Sequence, residues 1–143
     1  MGDPRFLVVR LGSMGDVVHA FPAVAALRAA FPAARIDWLV EHKWAPLVRT
    51  SPDVDRVIEL VPRSAAGLLR CAKHLRDMSY TCAIDFQGLY KSALLAYSSG
   101  AARRIGFERH FAREGGAAIF YTQRVTPVAR HIVEQNLVLA DAA

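Results

Sequence analysis

Arg10-Leu-Gly-Ser-Met-Gly-Asp-Val-Val-His-Ala-Phe-Pro22 is the stretch that decides the fold. Before it lies a short apolar run, Phe6-Leu-Val-Val9. Such a run suits a parallel strand covered on both faces. After it comes Ala23 to Phe31, rich in good helix formers and closed by Pro32. The join holds two glycines, a serine and an acid. A strand that passes through a Gly-rich turn into a helix makes a ligand crevice in open α/β sheets, outside the carboxyl ends of the strands. We place the strand over 5–10, the turn over 11–15 and the helix start near Asp16. Ser13 and Asp16 have capping-box spacing. Pro22 cannot donate to the carbonyl of Val18, so the sequence predicts a kink, or a fresh helix from Phe21.

Outward from this stretch, apolar runs and turn residues alternate. Strands are expected over 35–40, 54–61, 82–86, 103–107 and 117–121, and helices over 41–48, 64–77, 89–98 and 131–142. Residues 108–116 read as a basic loop or broken helix. Strands alternating with helices predict βαβ units in a parallel sheet, a Rossmann-like α/β domain over residues 1–143. With 53% apolar and 22% charged residues, the 143-residue chain has a globular composition. Its net charge of +5 points to an anionic partner. Cys71 and Cys82 lie far apart with no CxxC, so no metal site is expected. Nucleic acid is not expected either, because Phe107 and Phe111 are not interleaved as a stacking platform. The N-terminus has no signal-peptide pattern, and no run approaches the roughly 20 apolar residues of a membrane helix. A cytoplasmic location is expected.

Gly12-Ser-Met-Gly15 lacks the G-x-G-x-x-G spacing of a dinucleotide loop. Its glycines are read as a tight turn that lets a substrate approach closely. Asp16 has two readings: a first-turn acid that favours the helix dipole, or a general base at the mouth of the crevice. His19 lies one turn further along the same face, placed to orient a hydroxyl or simply to pack. A second informative turn is Asp85-Phe-Gln-Gly-Leu-Tyr-Lys-Ser92. Lys91 falls in the first turn of a helix, where a cation opposes the macrodipole unless an anion binds there. Gln87 can hydrogen-bond a sugar hydroxyl, Gly88 makes the turn, and Asp85 is read as a structural acid at a strand end. Arg103, Arg104, Arg109, His110 and Arg113 form a basic set, either a solvated face or a patch for an anionic acceptor.

Ser13-Met-Gly-Asp-Val-Val-His19 followed by Pro22 resembles the N-terminal signature of glycosyltransferase family 9, the ADP-heptose:lipopolysaccharide heptosyltransferases, and especially their heptosyltransferase I type. The resemblance continues through Ile36-Asp-Trp-Leu-Val-Glu41, Ile84-Asp-Phe-Gln-Gly-Leu-Tyr-Lys-Ser-Ala93, Ala112-Arg-Glu114, Phe120-Tyr121 and His131-Ile-Val-Glu-Gln135. It implies the N-terminal, acceptor-side half of a two-domain GT-B enzyme, with the C-terminal donor-binding domain absent from this chain and the fragment alone lacking full activity. It implies an inverting, metal-independent transfer of heptose from ADP-heptose to the Kdo of the lipopolysaccharide inner core, with no cofactor. Asp16 would be the base. Ser13, Gly15, His19, Gln87, Gly88, Lys91 and Arg113 would line the acceptor site. The acceptor would be a Kdo-lipid A-type glycolipid, which places the protein peripherally on the inner face of the bacterial inner membrane. The type's basic loop after the third strand is reduced here to Arg63, with Arg70 and Lys73 nearby as substitutes. A non-catalytic Rossmann-like module binding an anionic sugar or nucleotide is the alternative.

Overall fold

The computed structural model describes residues 2–61, 64–128 and 130–143. Among them lie six strands: β1 (Arg5–Val9), β2 (Arg35–Glu41), β3 (Arg56–Leu60), β4 (Cys82–Asp85), β5 (Arg103–Phe107) and β6 (Gln123–Val125). Four α-helices connect the first five, α1 (Met14–Ala30), α2 (Ala45–Val48), α3 (Ala65–Asp77) and α4 (Tyr90–Ser98), and a fifth, α5 (Ile132–Asp141), follows β6. All pairings are parallel, in the order β3-β2-β1-β4-β5-β6. The chain winds outward from β1 in one direction and then returns to start again at β4. The switch point therefore lies between β1 and β4, and ligand crevices in such sheets open there.

Both faces of the sheet are covered. Phe6 and Val8 of β1 join Val17, Val24 and Leu27 of α1 and Leu139 of α5 in one core. Leu7 and Val9 join Leu75 of α3 and Leu95 of α4 in the other. This explains why β1 reads as an unbroken apolar run: a strand buried on both sides has no polar face. Trp38, fully buried on β2, stacks edge-on against Phe21 of α1 at 5.5 Å.

Three expectations are corrected. α1 begins at Met14 and continues through Pro22 to Ala30, so no fresh helix starts at Phe21. Pro22 is exposed, and so is Val18, whose carbonyl loses its intrahelical donor. On the solvent side water can satisfy that carbonyl, so the apolar face below keeps the helix whole. Residues 117–121 form no strand: Gly115–Phe120 is a 3-10 turn, and β6 is the polar segment after it. Residues 41–48 divide, with Glu41 ending β2, a 3-10 turn at His42–Trp44, and α2 only from Ala45. Pro62 and Arg63, where the reduced basic loop was expected, lie outside the described residues.

Candidate active site at the switch point

The turns after β1 and β4 meet above the sheet, where Val9 and Asp85 are register partners. Arg10 follows Val9 directly and is 2% exposed. Its backbone is locked on the β2 side: its N–H donates to the Leu39 carbonyl at 3.3 Å, and the Trp38 indole donates to its carbonyl at 3.0 Å. Its side chain turns toward β4, where Nη1 donates to the Phe86 carbonyl. Nη2 lies 2.9 Å from Asp16 Oδ1, an ion pair outside hydrogen-bond alignment. Arg10 thus ties the two turns together.

Asp16 stands in the first turn of α1, its side chain 20% exposed. Oδ2 accepts from the Ser13 N–H at 3.2 Å, the Ser13 hydroxyl at 3.3 Å and Arg113 Nη2 at 2.9 Å. Partial burial pushes the Asp16 carboxyl up. The Arg10 charge, the Ser13 amide and Arg113 together outweigh it and hold the group below its ordinary value. Burial also lowers the Arg10 guanidinium, against the pull of Asp16. The site is an ionised carboxylate between two guanidinium groups, which leaves one positive charge in excess.

Arg113 arrives from 97 residues away, and two glycines build its approach. Gly88 has φ +71°, a conformation that L side chains rarely adopt. A Cβ there would lie 3.1 Å from the Arg113 nitrogen. The Gly88 carbonyl accepts from the Glu114 N–H at 2.9 Å, pinning the 108–114 segment over the β4 turn. Gly106 of β5 lies under the Tyr121 ring, where any Cβ would clash. This lets the Tyr121 hydroxyl donate to Asp85 Oδ2. Asp85 is fully buried and also accepts from the Gln87 and Gly88 amides and the Ser92 hydroxyl. Burial, the largest influence on it, pushes its carboxyl up. This is the structural acid expected from the sequence.

The structure brings Asp16, Ser13 and Arg113 into one cluster. Gly15 adjoins it, exposed, with open space where a Cβ would stand. Gln87 is 6% exposed, and its Oε1 finds no protein partner among the described residues. Gly88 serves chain geometry. His19 faces α5 instead of the cluster: its ring centroid lies 6.3 Å from that of His131, and its carbonyl accepts from Asn136 Nδ2. Lys91 does lie in the first turn of α4, but the acid at that helix start belongs to the protein: Glu114 Oε1 accepts from the Tyr90 N–H at 3.1 Å.

The basic set divides in the same way. Arg103 and Arg104 spend their donors on the carbonyls of Ala142, Ala143, Phe120 and Ala101, and only Arg113 reaches the cluster. Sequence reasoning missed Arg10 as a site residue, because an arginine after an apolar run reads as the end of a strand.

The sheet order and the charged cluster at its switch point define a Rossmann-type domain with a charged candidate site. The model of glycosyltransferase family 9 (heptosyltransferase) matches residues 68–143, more than half of the chain. The chain belongs to that family. It is 36% identical over 144 residues to a Pseudomonas aeruginosa lipopolysaccharide heptosyltransferase 1, covering 92% of this chain and 40% of that protein. The Escherichia coli K12 protein of the same name is 33% identical, with 92% of this chain and 43% of that protein covered. The solved structure of E. coli heptosyltransferase WaaC with ADP superposes at a TM-score of 0.83 and 31% identity, over 96% of this chain and 47% of the other. This chain therefore spans about two fifths of the length of its curated relatives.

Proposed function

We propose that the chain is the acceptor-side half of a heptosyltransferase of the lipopolysaccharide core, with Asp16 as general base. The observation that carries this is the Asp16 carboxylate, held ionised between Arg10 and Arg113 at the β1/β4 switch point. In the transfer, an acceptor hydroxyl gives its proton to Asp16, its oxygen attacks the anomeric carbon of ADP-heptose, and the bond to the departing ADP breaks. Attack from the face opposite the leaving group inverts the anomeric centre. The excess positive charge suits an acceptor carrying a carboxylate, as Kdo does. No metal or cofactor enters the scheme. A second, donor-binding domain holds ADP-heptose across the site.

The acceptor is taken as a Kdo-lipid A-type glycolipid, and this places the protein peripherally on the inner, cytoplasmic face of the inner membrane. No helix among the described residues is long and apolar enough to cross a membrane. The test joins this chain to the C-terminal domain of a relative and replaces Asp16 with Asn. Transfer from ADP-heptose should fall by about 10²–10⁴, the usual contribution of a general base. A rate near that of the unsubstituted fusion overturns the assignment.

A further inference from the structure

We propose that Arg10 is the positioning residue of this site: a buried guanidinium, fixed to the β4 turn, that sets the orientation and ionisation of the Asp16 carboxylate. The proposal rests on the reading of Asp16 as the base and adds what makes that base competent.

The two cations around Asp16 differ in kind. Arg113 is 54% exposed on a surface loop and reaches in from the solvent side. A long charged side chain in water gains little from such a pair. Arg10 is 2% exposed and its position is over-determined. Both backbone polar groups are bonded to β2, and its side chain is bonded to the Phe86 carbonyl beyond β4. A buried guanidinium without a counter-charge is costly, and Asp16 is the carboxylate in ion-pair contact with it. The pairing therefore constrains both partners. The Asp16 charge offsets the cost of burying the Arg10 guanidinium, with a smaller contribution from Asp85. Asp16 Oδ1 is in turn drawn toward the β4 turn, while Oδ2 faces Ser13 and the loop. Arg10 also has donor capacity to spare: Nε meets no protein acceptor among the described residues.

A general base needs an ionised carboxylate aimed at one place, and it needs the charge that holds it ionised to stay there throughout the reaction. Arg113, on the open side, can turn to an incoming carboxylate. Arg10 has no such freedom. Asp16 thus keeps one permanent counter-ion and one exchangeable one.

The chain is small enough for carboxyl-detected NMR titration of Asp16, and this measurement is independent of whether Asp16 acts as a base. The variants are Arg10→Gln, which removes the charge, Arg10→Lys, which keeps it, and Arg113→Gln. In the unsubstituted chain Asp16 titrates below its ordinary 3.8. Arg10→Gln should raise the midpoint by about one unit or more, the usual effect of losing an adjacent arginine. Arg10→Lys should recover part of that shift. Arg113→Gln should leave Asp16 depressed.

An unmoved midpoint in Arg10→Gln overturns the proposal. So does an equal displacement in Arg10→Gln and Arg10→Lys, which is what a merely space-filling Arg10 would give. If Arg10→Gln loses the native amide spectrum, Arg113→Gln decides. A midpoint that stays depressed supports Arg10 as the governing charge, and a return to the ordinary value overturns it. An Asp16→Asn fusion that still transfers heptose would refute the base while leaving these midpoints untouched.

Discussion

Two acids stand at the ends of neighbouring strands, and they have been put to opposite uses. Asp85 closes β4, is fully buried, and is surrounded by neutral donors: two amides, a serine hydroxyl and a tyrosine hydroxyl. Asp16 follows β1 by one turn, keeps a fifth of its side chain in solvent, and is surrounded by cations. Burial raises the first and charge lowers the second. Both lie beside the β1/β4 switch point. Chemistry there needs an ionised group with a way out to substrate, and only Asp16 has both. Proximity to a crevice does not by itself make an acid functional; the identity of its partners does.

The contrast can be broken experimentally. The largest effect expected is the loss of about 10²–10⁴ in transfer rate when Asp16→Asn is introduced into the fusion enzyme, with the thermal melt still cooperative. Asp85→Asn should do the reverse. An amide cannot accept at every position the carboxylate did, and leaving buried donors unmet costs about 1–3 kcal/mol. Chemical denaturation should register that loss while the transfer rate stays close to the parent. If Asp85→Asn abolishes transfer without destabilising the fold, the two roles have been exchanged.

Tyr121→Phe removes one of the four donors to Asp85 and should cost about 1 kcal/mol, read from the same denaturation curves. The smallest effect, and the one that sharpens the contrast most, is the pH dependence of stability. Asp16 has a folded pKa below its ordinary value, so its stabilisation is present above 3.8 and lost as pH falls through the folded value. Asp85 has a raised folded pKa, so its contribution is complete at low pH and declines as pH rises through that value. Asp16→Asn should therefore flatten the acid limb of the stability curve, and Asp85→Asn should remove a loss on the other side. Two variants that change the curve in the same direction would mean that the acids are not opposites.

Much of this was legible in the sequence, for physical reasons that also mark where it stopped. β1, β2 and β4 are buried almost throughout, and such strands announce themselves as apolar runs; β3 and β5 are only partly buried, but their inner halves, with Ile58, Leu60, Ile105 and Phe107, are apolar. β6 is a polar segment, Gln123-Arg-Val125, and the apolar residues just before it pointed to the wrong place. They are apolar because Ala117, Ala118 and Tyr121 pack on Ala93 as a 3-10 turn, not because they pair. Pro22 looked like a break because local rules cannot see that its face is turned to water. Asp16, Ser13 and Arg113 could be named from motif resemblance. Their contact across 97 residues could not, since it depends on the 112–114 segment packing against Gly88, where a Cβ would stand in the way. Arg10 was hidden for a similar reason: nothing local reveals that an arginine will be buried when its counter-charge and its carbonyl acceptor come from two other turns.

That long reach has a consequence for how the protein is made. Translation delivers residues at roughly 5–20 per second, so Asp16 leaves the ribosome about 5–20 s before Arg113, 97 residues behind it. For most of that interval a nascent chain holds the carboxylate and Arg10 without the β4 turn that fixes Arg10, and throughout it without the loop that carries Arg113. The charged cluster can therefore assemble only after β5 has been made, while β6 and α5 are still to follow.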